Sequence, residues 1–182
     1  MAEEIKVENV VASASLNVKV PLNQLVAQLP GTEYEPEQFP GLVYRMQDPK
    51  AAALIFSSGK IVCTGATSSE SAKEAIDKVV EGIRSIGVDV ERAFDIEIQN
   101  IVASTKLEST LNLNEIAFSL RNTEYEPEQF PGLVYRIEDP KVAFLLFGSG
   151  KVVCTGGRSI EEVERAVSKI EEELGEIGAI TD

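Results

Sequence analysis

The sequence predicts an α+β fold in which one structural unit is built twice, each copy an antiparallel strand meander beside two helices. Three observations predict it. The 14 residues TEYEPEQFPGLVYR occupy positions 32–45 and again 123–136, an offset of 91 in a chain of 182. Each half then holds three short runs of strand formers separated by Asp-Pro and by a glycine-containing turn. Each half also holds one short and one long stretch with apolar residues at helical spacing. The match between halves extends beyond the 14 residues: Asn9-Val10-Val11-Ala12-Ser13 against Asn100-Ile101-Val102-Ala103-Ser104, and Cys63-Thr64-Gly65 against Cys154-Thr155-Gly156. Such self-similarity implies internal two-fold symmetry, which suits a partner with two-fold character such as duplex DNA.

The elements follow in order. Residues 6–20 are rich in β-branched side chains without interior Gly or Pro, and read as strand. Pro21 suits the first turn of a helix over 22–29, with Leu22, Leu25, Val26 and Leu29 on one face and Pro30-Gly31 ending it. Its second copy spans 112–120, with Leu113, Ile116, Ala117 and Leu120. A proline-bounded loop ends near Phe39. Strands are expected over 42–46, 51–56 and 60–64, turning at Asp48-Pro49 and Ser57-Ser58-Gly59. A longer helix over 68–86 closes the half, with Ser68 or Ser69 as its cap and Gly87 at its end; the copy runs from 159 to about 177. Residues 88–95 link the halves without low-complexity sequence. The units, 1–91 and 92–182, are therefore expected to pack as one body.

Composition narrows the function. The chain has no histidine, the commonest member of triads, metal sites and neutral-pH proton shuttles. Ser57-Ser58-Gly59-Lys60 is too short and wrongly spaced for a phosphate loop. No catalytic residue, metal or cofactor is expected, and an enzyme using Cys63 or Cys154 as nucleophile would lack a base. The two cysteines are repeat-equivalents in apolar runs and read as reduced core thiols rather than a disulfide or metal site. No apolar run has membrane-spanning length and the start has no signal-peptide pattern, so a soluble intracellular protein is expected.

The net charge of −13 opposes a nucleic-acid partner, but the charge is segregated. Residues 43–65 hold Arg45, Asp48, Lys50 and Lys60, a net of +2, and residues 134–156 a net of +1. Residues 160–178 hold seven glutamates against Arg165 and Lys169, a net of −5. The local field rather than the total steers a polyanion. The strands add a second clue. Residues 51–56, 61–63 and 142–147 are apolar at successive positions, whereas two helices per half cover only one sheet face. The other face is either buried in an oligomer or an exposed binding surface.

Several of these residues resemble the TATA-binding protein family. The segments are Phe39-Pro40-Gly41 with Leu54-Ile55-Phe56-Ser57-Ser58-Gly59-Lys60, and Phe130-Pro131-Gly132-Leu133-Val134-Tyr135-Arg136 with Leu145-Leu146-Phe147-Gly148-Ser149-Gly150-Lys151. To these are added Glu8-Asn9-Val10-Val11-Ala12-Ser13 and Gln99-Asn100-Ile101-Val102-Ala103-Ser104. The resemblance covers nearly the whole chain; the short N-terminus and acidic C-terminus look archaeal. It implies a pseudo-two-fold saddle, a ten-stranded curved antiparallel sheet with four helices on its convex face. Its function would be that of a general transcription initiation factor binding and bending the minor groove of an A·T-rich TATA-box promoter.

Carried over, Phe39, Phe56, Phe130 and Phe147 would wedge between base steps, where periodicity alone favours core packing. Asn9 and Asn100 would donate to minor-groove acceptors with help from Thr64 and Thr155, the alternative being strand-end caps. Val11, Val102, Leu54, Leu145, Val62 and Val153 would supply apolar contact. Arg45, Arg136, Lys60, Lys151, Ser58 and Ser149 resemble phosphate contacts, which position without reading sequence. The Glu126-Pro127-Glu128 loop, through Glu126 and Glu128, resembles a docking site for transcription factor B, ahead of RNA polymerase. Its duplicate, Glu35-Pro36-Glu37, leaves the orientation on DNA open. The resemblance also places the protein at the nucleoid of a prokaryotic cytoplasm. Glu37-Gln38, and the acids Glu70, Glu74, Asp77 and Glu81 of the first long helix, depart from the basic eukaryotic pattern and count against a partner that needs a basic helix. Without DNA, two copies could hide their apolar faces as a homodimer. The competing reading is a tandem small-ligand or peptide-binding domain whose apolar sheet face lines a pocket.

Overall fold

The computed structural model describes residues 4–91 and 94–179. The first repeat comprises β1 (Lys6–Ser15), α1 (Leu22–Gln28), β2 (Thr32–Glu33), β3 (Leu42–Gln47), β4 (Lys50–Ile55), β5 (Lys60–Ala66) and α2 (Ser69–Ser85). The second comprises β6 (Ile96–Lys106), α3 (Leu113–Ser119), β7 (Thr123–Glu124), β8 (Leu133–Glu138), β9 (Lys141–Leu146), β10 (Lys151–Gly157) and α4 (Ile160–Glu176). The implied ten strands and four helices are all present. Positions 92 and 93 of the expected link, and the first three residues, lie outside the described residues.

The chain divides into two compact units. One takes in residues 9–99; the other takes in residue 100 onward with the chain before Asn9, so that β1 and β6 each divide between them. In the first unit the strands lie in the order β2-β3-β4-β5-β1, and in the second β6-β10-β9-β8-β7. Pairing is antiparallel, for example Val43↔Leu54 and Leu54↔Val62, with Val134↔Leu145 and Leu145↔Val153 as their counterparts.

Burial alternates along these strands despite their apolar composition. In β4 and β5, Ala51, Ala53, Ile55, Ile61 and Cys63 are buried, while Ala52, Leu54, Val62 and Thr64 are half-buried. The buried set faces α2, which packs on both strands. Ser68 caps α2, its hydroxyl accepting the Ser71 N–H at 3.0 Å, and Ser159 caps α4 through the Glu162 N–H at 3.2 Å. A cap contributes about 1 kcal/mol. Ile76, Val79, Val80 and Ile83 are fully buried on α2, and at ~1.5–3 kcal/mol for each such side chain packing dominates the helix's stability. α4 repeats this with Val163, Ala166, Val167, Ile170 and Leu174.

The expected first strand stops early. It ends at Ser15 because Asn17 adopts φ 55°, although Leu16 and Val20 still donate to the Gly59 and Ser57 carbonyls. Thr32–Glu33 and Thr123–Glu124, to which the sequence pattern assigns no element, are minimal strands paired to β3 and β8. The cores behind the sheet also differ between the repeats. Ala53 in the first repeat is replaced by the fully buried Phe144 in the second, stacked on Tyr135 with ring centroids 6.3 Å apart. The Tyr135 hydroxyl donates to Glu173, and burial, then this carboxylate, raises its pKa above the usual phenol range. The counterpart of Glu173 is Gly82, against which Leu29 packs instead.

Candidate nucleic-acid interface

In each unit the sheet face turned away from the long helix is left with half-buried apolar side chains. In the first unit these are Val11, Val43, Leu54 and Val62; in the second, Val102, Val134, Leu145 and Val153. Strand register puts Arg45, Ala52 and Thr64 in one row across β3, β4 and β5, and Val43, Leu54 and Val62 in the next. The six apolar residues expected to contact bases therefore share this face with the threonines and arginines. Among the described residues no element of the unit covers it.

Two phenylalanines bound each of these surfaces. Phe39 and Phe56 meet edge to face with centroids 5.9 Å apart and planes at 65°; Phe130 and Phe147 repeat this at 5.9 Å and 69°. An edge-to-face pair contributes about 0.5–1.5 kcal/mol beyond burial, enough to hold the rings as one group. Phe39 is 40% exposed and Phe130 42% exposed. Neither is the core residue that periodicity favours. The acidic loops present them: the Glu35 carbonyl accepts the Gln38 and Phe39 N–H groups, and the Glu126 carbonyl those of Gln129 and Phe130. The side chains of Glu126 and Glu128 stay exposed.

The proline-glycine that follows has a steric reason. A Cβ on Gly132 would lie 2.7 Å from Phe130 Cε2 and 2.9 Å from Phe147 Cε1, and Gly41 stands the same way to Phe39 and Phe56. Gly132→Ala should leave the fold intact and displace the ring pair. We expect a loss of DNA affinity of about tenfold, ~1.4 kcal/mol, with the ring proton shifts of both phenylalanines moved. Shifted rings with unchanged affinity would separate the pair from binding.

Asn9 and Asn100 are held in one orientation. The Gly65 N–H donates to Asn9 Oδ1 at 2.7 Å and the Gly156 N–H to Asn100 Oδ1 at 2.6 Å. A backbone N–H can only donate, so the side-chain oxygen must face it and the amide nitrogen points away. Asn9 Nδ2 donates to Thr64 Oγ1 at 3.2 Å, and Asn100 Nδ2 to Thr155 Oγ1 at 3.1 Å. Each NH₂ thus keeps a second hydrogen with no acceptor among the described residues. Gly65 and Gly156 can offer their N–H because they adopt φ 93° and 105°, in bulges that shift the register against β1 and β6.

The cations sit at the margins. Lys60 and Lys151 are exposed, and their N–H groups donate to Ser58 and Ser149 Oγ, both at 3.4 Å. Arg45 is paired with Glu33 at 3.0 Å, and Arg136 with Glu124 at 2.9 Å, all largely exposed. Surface pairs of this kind are worth about 0–1 kcal/mol, so each carboxylate holds its arginine only weakly. The glutamate partners, Gly41 and Gly132, and Gly65 and Gly156 were missed in the sequence. Only their identical placement in both repeats could have flagged them.

Cys63 and Cys154 are free and buried on the opposite face, and burial pushes both thiols up to about 11. They are neutral at pH 7 and make poor nucleophiles. Among the described residues no helix is long and apolar enough to cross a membrane, and no group of three His, Cys, Asp or Glu could hold a metal ion.

The family described as Transcription factor TFIID, or TATA-binding protein, matches the chain twice, over residues 4–86 and 95–177. A TATA-box-binding protein of Picrophilus torridus is 54% identical over 180 residues, 98% of either chain. TATA-box-binding protein B of Halobacterium salinarum is 54% identical over 182 residues, 99% of this chain and 98% of that one. The solved structure of Methanococcus jannaschii TBP superposes with a TM-score of 0.88 at 51% identity, covering 96% of this chain and 99% of that chain. The fold is thus the same in both.

Proposed function

The chain belongs to the TATA-binding protein family, and from that premise we propose that it is a general transcription initiation factor of the archaeal type. It binds the minor groove of an A·T-rich promoter element, bends it, and offers a platform to transcription factor B and RNA polymerase. One observation carries the reading: each repeat presents an uncovered apolar face that has an oriented asparagine amide on it and a phenylalanine pair beside it.

The chemistry fits an A·T minor groove. Adenine N3 and thymine O2 are acceptors, and the spare hydrogens of Asn9 and Asn100 are donors. Guanine adds an amino group, for which Val11, Leu54, Val62 and their counterparts have no acceptor. The phenylalanine pairs act as wedges, as in minor-groove architectural proteins, this family among them. Arg45, Arg136, Lys60, Lys151, Ser58 and Ser149 take the phosphates. Glu126 and Glu128 stand exposed on their loop, where a basic surface of transcription factor B can meet them.

A gel-shift titration tests the proposal. Preference for an A·T-rich promoter duplex over a G·C-rich control should be on the order of a thousandfold at moderate salt. The four charged phosphate contacts alone account for about −3 to −4 of the slope of log K against log salt. Equal binding to the two duplexes, or binding to neither, overturns it and leaves the small-ligand or peptide reading.

A further inference from the structure

The two repeats do not present the same charge beside their apolar faces. In the first unit Lys60 lies directly across the strand pair from Ser15, next to the Ser13–Val62 pair. In the second, Lys151 lies directly across from Lys106, next to the Ser104–Val153 pair. Register and alternation put Lys106 and Lys151 on one face, that of the half-buried Ser104 and Val153, whereas the intervening Thr105 and Val152 are buried on the other. Both lysines are exposed, and among the described residues neither is in an ion pair.

Like charges facing each other across an antiparallel pair repel, so this arrangement is unfavourable until an anion lies between them. The surroundings sharpen the difference. Lys60 lines a cleft with Glu91, Asp95 and Glu97, which lower the local potential. In the second unit the place of Glu97 is taken by Lys6, paired with Glu8 at 3.7 Å. The Glu8 carboxylate also accepts the Ser104 hydroxyl at 2.9 Å, so it is already engaged where it stands on this face.

We propose that Lys106 is a further phosphate contact, acting with Lys151 as a two-lysine clamp on one DNA backbone segment, so that the second repeat holds DNA more strongly than the first. The inference rests on the DNA-binding reading above. It also supplies one difference between two otherwise duplicated surfaces. The occupant is a backbone phosphate of duplex DNA, because Lys151 already flanks the groove face.

The test is the salt dependence of binding to an A·T-rich promoter duplex, measured for the full chain, Lys106→Ser, and Ser15→Lys. Lys106→Ser should reduce the magnitude of the slope by about 0.9 and weaken binding at 0.1 M salt by roughly eightfold, since one fewer counterion is released. Its thermal transition should not fall, because the replacement relieves repulsion. Ser15→Lys builds the same clamp in the first repeat and should steepen the slope by a similar amount. A wild-type slope and affinity in a folded Lys106→Ser that still prefers A·T-rich DNA overturns the clamp alone. Failure of the unaltered chain to prefer that duplex overturns the function on which the clamp rests.

Discussion

Phe147→Ala should lower affinity for an A·T-rich promoter duplex by about ten- to a hundredfold, ~1.4–2.8 kcal/mol, and reduce the DNA bend. Phe56→Ala should do the same from the other repeat. Opening a base step costs a few kcal/mol, which a wedge offsets by filling the gap and allowing more protein surface to meet the bent duplex. Phe147 and Phe130 touch edge to face, so losing one ring also frees the other to turn away. The cost to the free protein is smaller, roughly 1–2 kcal/mol, because Phe147 is only half-buried and loses one ring contact and part of its apolar burial. The two effects are measured separately, the bend by energy transfer between dyes at the duplex ends and stability by thermal unfolding without DNA. A folded variant that bends DNA to the original angle removes Phe147 from the wedge. Unfolding of the variant alone would return it to the core.

That division between surface and core marks what was legible in the sequence. The repeat, the longer strands and both long helices can be read directly, because period and capping chemistry are local properties. The face on which a phenylalanine lies is not local. Phe39 falls in a loop whose geometry depends on two N–H groups converging on the Glu35 carbonyl, and its partner Phe56 is 17 positions away. The steric need for Gly41 depends on both rings together. The two-residue strands are too short to show a period, and without them Glu33 and Glu124 have no visible relation to Arg45 and Arg136. The apolar runs of β4 and β9 pointed to burial on both faces. Each instead has one buried set and one half-buried set, the pattern of a sheet whose second face awaits a partner.

The duplication is also uneven in depth. The uncovered faces agree residue by residue at Leu54 and Leu145, Val62 and Val153, and Thr64 and Thr155. Behind them Ala53 is exchanged for Phe144, and Gly82 for Glu173 with its hydrogen bond from Tyr135. Core volume can be redistributed as long as packing stays dense. Under the proposed function the groove-facing rows meet two similar half-sites and have no such freedom.

The asparagines provide the other large effect, and two substitutions separate reading from structure. Asn100→Ala removes the donor to the groove and also leaves the Gly156 N–H without its 2.6 Å acceptor. The preference for A·T over G·C should fall by about tenfold, ~1.4 kcal/mol, and the fold should lose roughly 1 kcal/mol. That variant alone is ambiguous. Asn100→Asp keeps an oxygen for the Gly156 N–H and makes that bond charge-assisted, so the bulge and the strand pairing should survive. The same carboxylate turns a second oxygen, instead of an amide hydrogen, toward the adenine N3 and thymine O2 acceptors. A donor has become a negative charge facing acceptors. Asn100→Asp should therefore match the unaltered chain in thermal stability and bind A·T-rich DNA more weakly than Asn100→Ala. Competition binding with A·T-rich and G·C-rich duplexes at one fixed salt concentration measures the affinities of both variants, and thermal unfolding without DNA measures their stabilities. If Asn100→Asp keeps its affinity and its A·T preference, the amide serves the bulge at Gly156 and the groove is read by other groups.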